Sequence, residues 1–234
     1  MASWMVHLRV ADRLLDRLPE AEPTWYVVGN LGPDCGEPTN RDATQYTPPK
    51  SVTHWQTARA KHDAEAFWRA YLEGGGDPTR RSFYLGYWTH LLTDERWVAD
   101  VARPIKERFA REYAEDYPGY VRRVRQDWSD LDRLFLREHP SFRAYRLLEA
   151  VERFPNDGLL PYYSETAIER RLRAIAAAYR QPCGELDRVY PYLSRAEMDR
   201  FVDRCAEAVW LALQDKTRLP AAAAQQSARQ TQGG

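Results

Sequence analysis

The chain has 234 residues, of which 44% are hydrophobic and 29% charged, an ordinary globular balance that provides for one substantial domain or two small ones. Lys plus Arg (34) cancel Asp plus Glu (34), so no global field directs the protein to nucleic acid or to a membrane surface. No run of eighteen apolar residues is present to span a bilayer, and Cys35, Cys183 and Cys205 are scattered without CxxC spacing, which argues against a disulfide framework.

The opening segment "MASWMVHLRVADRLLDRL" lacks a basic start followed by an apolar core and reads as an amphipathic helix over 3–18. Trp4, Leu8, Ala11, Leu15 and Leu18 share one face, and His7 borders it. Together with the cysteine pattern this predicts a cytoplasmic protein. The run "TWYVVGN" (24–30) is β-like but too short to found a sheet. Residues 30–50, rich in Gly, Pro, Asn and Asp, predict a loop longer than a compact domain keeps without a use for it. A helix over 52–73 follows, ending at Gly74-Gly75-Gly76. Asp77-Pro78 then opens the helix that carries "SFYLGYWTHLLTDERW" (82–97), and Pro104 bends it or starts another. Further helices are predicted at 119–138, 140–154, 164–180 and 194–214, the last opening with a Ser194–Glu197 capping box. Beyond Pro220, "AAAAQQSARQTQGG" predicts a disordered tail. The expected fold is all-α: a single domain of about seven helices over 1–219, with a tail over 220–234.

Few residues carry obvious chemistry. His90 and Asp94 lie four apart, so both side chains converge on one side of their helix. They suit either a divalent ion or a buried His–Asp hydrogen bond, and the pair alone favours the latter. Asp34, in "GNLGPDCG", is either an Asx-turn residue or a carboxylate held in a fixed direction. His54, in "PPKSVTHW", occupies a first helical turn as a surface residue or a ligand, and His7 is a core histidine or a ligand. His62-Asp63 invites comparison with HD-type phosphohydrolases, but its spacing from Trp55 and Phe67 predicts an exposed position. Asp127, Asp130 and Asp132 in "QDWSDLD" read as a solvated acidic face. Tyr162 and Tyr163 precede Ser164, the expected cap of the helix over 164–180.

Four stretches, "SWMVHLRVADRLL", "VVGNLGPDCG", "SVTHW" and "FYLGYWTHLLTDERW", resemble the zinc-dependent phospholipase C family, whose fold is shared with P1-type nucleases. The resemblance implies a mostly helical protein with zinc held in a cleft between helices. It assigns Asp34, His54, His90 and Asp94 to one zinc and His7 to a neighbouring zinc, with Asp94 bridging the two. One or two ions are expected, with Mn²⁺ or Fe²⁺ as alternatives. Two departures stand out. Trp4 is internal where secreted members present an N-terminal tryptophan to zinc. After Asp94 only His139 remains, so the family's third site lacks its histidines, and Asp100 or Asp127 would have to substitute. The implied activity is hydrolysis of a phosphodiester or phosphomonoester by metal-activated water, with no side-chain nucleophile. The alternatives are a non-catalytic helical protein with a structural metal and an HD-type phosphohydrolase. A small phosphoester is the expected substrate, nucleic acid remains open as one, and no stable membrane association is expected.

Overall fold

Proline or an acidic cap starts about half of the helices, and two glycines bring the central pair together. The computed structural model describes residues 1–40, 45–58, 60–182 and 184–231. Helix α1 (Trp4–Leu15) starts at Ser3, whose hydroxyl accepts from the Val6 amide. Helix α2 (Pro23–Leu31) has proline in its first turn and a Glu22 carboxylate accepting from the Trp25 amide at 2.6 Å. The β-like run 24–30 is therefore helical, against expectation. Its β-branched residues are overruled by the cap and by packing on α5 (Pro78–Trp97), the helix opened by Asp77 and Pro78.

The α2–α5 crossing is a backbone contact. A Cβ on Gly29 would lie 1.9 Å from the Phe83 carbonyl oxygen, and one on Gly86 would lie 2.0 Å from that of Tyr26. Asn30 Nδ2 donates to the Gly86 carbonyl at 3.2 Å across the same crossing.

The predicted loop 30–50 holds a 3₁₀ turn (Gly32–Asp34) and a two-stranded antiparallel pair, β1 (Glu37–Pro38) with β2 (Tyr46–Thr47). The predicted helix 52–73 is broken into α3 (Lys50–Thr53) and α4 (Ala64–Tyr71). Trp55, at φ 53°, is in the left-handed region and cannot continue a right-handed helix. The Asp63 carboxylate restarts the helix by accepting from the Ala66 amide at 2.8 Å.

Beyond α5 a π-helical stretch (Val98–Ala102) leads into α6 (Arg103–Arg108), which has Pro104 in its first turn, and then α7 (Ala110–Glu115). Next come α8 (Tyr117–Glu138), α9 (Arg143–Glu149), α10 (Ala167–Arg180) and α11 (Arg195–Thr231). The Ser194–Glu197 capping box is present: Glu197 Oε2 accepts from the Ser194 amide at 2.7 Å, and Ser194 Oγ accepts from the Glu197 amide at 3.3 Å. The boundary expected at 214 moves, because α11 is continuous to Thr231. The alanines of 221–224 are the strongest helix formers available.

Among the described residues the fold is all-α apart from the small strand pair. Arg9 and Arg13 of α1, and Arg17 just beyond its end, pair with Asp199, Asp203 and Glu207 of α11, which keeps the two helices in register. Among the described residues no helix is long and apolar enough to cross a membrane.

Candidate metal centre

Four elements and one irregular segment deliver polar side chains into the interior beside α5. Helix α1 brings His7, the 3₁₀ turn brings Asp34, the end of α3 brings His54, and α5 brings His90 and Asp94. His62 arrives from the irregular stretch before α4. His7, His90 and Asp94 are 0% exposed, and Asp34, His54 and His62 are buried as well.

Asp94 stands at the middle. Its Oδ1 accepts from the Ala2 amide at 2.7 Å and lies 3.5 Å from His7 Nε2. Its Oδ2 faces three imidazoles, with His54 Nε2 and His90 Nε2 each at 3.5 Å and His62 Nε2 at 3.7 Å. Asp34 Oδ1 is 3.6 Å from His54 Nε2 and 3.0 Å from Lys50 Nζ. Donor atoms of His7, His90 and Asp94 lie within 4.8 Å of one another, and so do those of Asp34, His54 and His90. The five ligands assigned by resemblance thus come together as two overlapping groups that share His90.

Hydrogen bonding does not account for this cluster. The separations around Asp94 Oδ2 exceed those of N–H···O bonds, about 2.7–3.2 Å. The buried Nε2 atoms of His7, His54 and His90, and Asp94 Oδ2 itself, have no hydrogen-bond partner. Orphaned polar atoms are costly one at a time, and here they point at one another. Two donors each about 2.1 Å from a tetrahedral ion are about 3.4 Å apart, close to the spacing observed, so these residues fit zinc.

Neighbouring groups prepare the donors. His90 Nδ1 sits 2.8 Å from the Asn30 carbonyl, which accepts its proton and leaves the Nε2 lone pair facing the cluster. The Thr53 hydroxyl meets His54 Nδ1 at 3.0 Å in the same way. Burial pushes His7 and His62 down to about 4 and His54 to about 3, so all three are neutral at pH 7. Burial works against charge on Asp34 too, but Lys50, His90 and His54 outweigh it and hold the carboxyl below its usual range. Against the same burial penalty, His7 and His90 keep Asp94 ionised.

These values give metal-free protein a defined pH response. The unfolded chain takes up protons on these histidines first, near pH 6.5, because the folded values are lower. Stability is therefore full above about pH 6.5. It falls as pH drops toward 4, by up to about 1.4 kcal/mol per pH unit for each histidine. Thermal melts of chelator-treated protein between pH 7 and 4 check this, and a flat melting temperature would contradict it.

His62 is the residue of this cluster that sequence reasoning misplaced. The left-handed turn at Trp55 breaks the helical spacing on which the exposed position rested, and the residue is only 3% exposed. The adjacent pair is split, since Asp63 caps α4 and accepts from the Thr57 hydroxyl at 2.8 Å. The acidic face of α8 is not solvated either. Arg188 donates to Asp127 Oδ1 at 2.8 Å and to Asp130 Oδ2 at 2.7 Å, and buried Asp132 accepts from the Ser3 hydroxyl at 2.8 Å and from Tyr179 at 3.0 Å. Asp127 is thus engaged away from the cluster, while Asp100 and His139 are exposed. Tyr163 donates to the Gly32 carbonyl at 2.8 Å and anchors the turn that carries Asp34. Tyr87 donates to the Thr53 carbonyl beside His54 and is hydrogen-bonded to Tyr162 at 2.8 Å. Neither contact leaves a signature in the sequence.

Fold and site together define an all-α protein with a buried histidine–carboxylate cluster of metal-binding type. Residues 6–95 match the family model described as zinc dependent phospholipase C, so this part of the chain is zinc-dependent phospholipase C-like. The matched segment starts one residue before His7 and stops one after Asp94, enclosing the whole cluster. No match to a curated protein or to a solved structure accompanies it.

Proposed function

We propose that the protein is a zinc-dependent phosphoester hydrolase whose metal ligands are His7, Asp34, His54, His90 and Asp94. The observation that carries this reading is the gathering of the unpartnered, buried Nε2 atoms of His7, His54 and His90 around the carboxylate of Asp94, whose Oδ2 also has no partner. Bound zinc supplies activated water near neutral pH and stabilises charge on the phosphoryl group.

The chain's own residues do the rest. The Ala2 amide fixes one oxygen of Asp94 and the Asn30 carbonyl fixes the ring of His90. Beside the cluster opens a cavity of about 690 Å³, within the usual range for small-molecule sites. Asp34, Lys50, Trp4, Tyr120 and Trp128 are among the residues that line it. Lys50 places a cation next to Asp34, where phosphoryl oxygens would be drawn in, while the aromatic wall suits an apolar substituent. A small lipid-like phosphoester, of the kind the family name indicates, satisfies both. The cytoplasmic placement belongs to this proposal and is supported by the free thiols of buried Cys35 and Cys205.

The complete burial of His7, His90 and Asp94 favours a second reading, in which an ion ties α1 to α5 without turnover. Hydrolysis of bis-p-nitrophenyl phosphate and of p-nitrophenylphosphorylcholine separates the two. His54→Ala is expected to lower the rate by more than about 100-fold. Activity that survives the substitution places the chemistry elsewhere, and a zinc-loaded wild type without turnover selects the structural reading.

A further inference from the structure

We infer that His62 is an additional nitrogen ligand of this centre, coordinating through Nε2 a cation that Asp94 Oδ2 also holds. The inference rests on the metal-dependent reading above and extends it to a residue outside the five assigned.

The loop between α3 and α4 explains how two histidines eight positions apart reach one carboxylate. After His54 the chain turns left-handed at Trp55. It then closes on itself where the Asp63 amide donates to the Trp55 carbonyl at 3.1 Å. His54 leaves one end of the loop and His62 the other. Their rings meet edge to face with centroids 5.7 Å apart, and both Nε2 atoms point at Asp94 Oδ2, at 3.5 and 3.7 Å. His62 stands to that oxygen much as His54 and His90 do.

The ordinary explanation for a buried histidine is a satisfied hydrogen bond. Among the described residues its ring makes none, and the polar neighbour of its Nε2 is Asp94 Oδ2. Burial keeps the ring neutral, which is the form that coordinates. With His62 the donors become four imidazoles and two carboxylates. Six donor residues exceed the four that one tetrahedral zinc takes, so removing His62 weakens the centre without abolishing it.

The test uses the full chain purified without chelator, in wild-type form and as His62→Ala and His62→Gln. Zinc affinity and stoichiometry are measured by competition with a chromophoric chelator, and the visible spectrum of the Co²⁺-substituted protein reports the coordination shell. Both variants are expected to bind at least one zinc about tenfold or more weakly than wild type. Their Co²⁺ spectra are expected to change, while the melting temperature of metal-free protein does not fall. The glutamine variant serves if the alanine variant fails to fold. Wild-type stoichiometry, affinity and Co²⁺ spectrum in the folded variants would overturn the role of His62 alone. A wild-type chain that takes up neither zinc nor cobalt would overturn the metal-dependent reading and this inference with it.

Discussion

Saturating zinc is expected to raise the melting temperature of the wild-type protein by about 8–16 °C and to leave Asp94→Asn unmoved. A ligand at a thousand times its Kd stabilises the folded state by about 4 kcal/mol, and a domain of this size shifts by about 2–4 °C per kcal/mol. Asparagine nearly preserves the shape of Asp94, and its carbonyl oxygen can still accept from the Ala2 amide, which lies 2.7 Å from Asp94 Oδ1. Its amide nitrogen can donate to an imidazole that now lacks a partner, so metal-free Asp94→Asn should melt no lower than metal-free wild type. The carboxylate's charge is lost, and with it the oxygen between His54, His62 and His90. If the cluster were only a buried hydrogen-bond network, zinc would move neither protein. Differential scanning fluorimetry with and without zinc distinguishes the two cases.

The second large effect lies at the helix crossing. Gly86→Ala is expected to destabilise the fold by about 3 kcal/mol, the upper end of ordinary overpacking, because the added methyl meets backbone that cannot rotate away. Its Cβ would lie 2.0 Å from the Tyr26 carbonyl oxygen and 2.7 Å from the Asn30 amide nitrogen, so α2 and α5 must separate. Separation would also pull the Asn30 carbonyl from His90 Nδ1, now 2.8 Å away, and zinc affinity should fall with stability. Gly74→Ala is the control: nothing lies within 4 Å of its Cβ, and its stability should stay within about 0.5 kcal/mol of wild type. Urea unfolding of the three proteins measures the differences, and a Gly86→Ala protein as stable as the control would contradict the backbone contact.

The same crossing shows where sequence reasoning reached its limit. The i, i+4 spacing of His90 and Asp94, the position of His7 on an amphipathic stripe and the glycine–proline setting of Asp34 are local patterns that single these residues out, while their assignment to zinc rests on the resemblance to the zinc-dependent phospholipase C family. The helical state of 24–30 depends instead on Gly29 meeting Phe83 and Gly86 meeting Tyr26, contacts between segments more than fifty residues apart. Local β-propensity therefore pointed the wrong way. His62 was hidden by a single backbone angle at Trp55, which a spacing argument assumes to be helical. Asp127 and Asp130 looked solvated because their partner, Arg188, is 61 and 58 residues further along the chain.

The central claim is that the buried histidines and carboxylates exist to hold metal. Elemental analysis of wild-type protein, expressed with zinc and purified without chelator, tests it most directly, with His90→Ala prepared in parallel. The account predicts at least one equivalent of zinc per wild-type chain and a substoichiometric amount in His90→Ala. A wild-type chain that retains no stoichiometric divalent metal, whether zinc, manganese or iron is supplied, would contradict it.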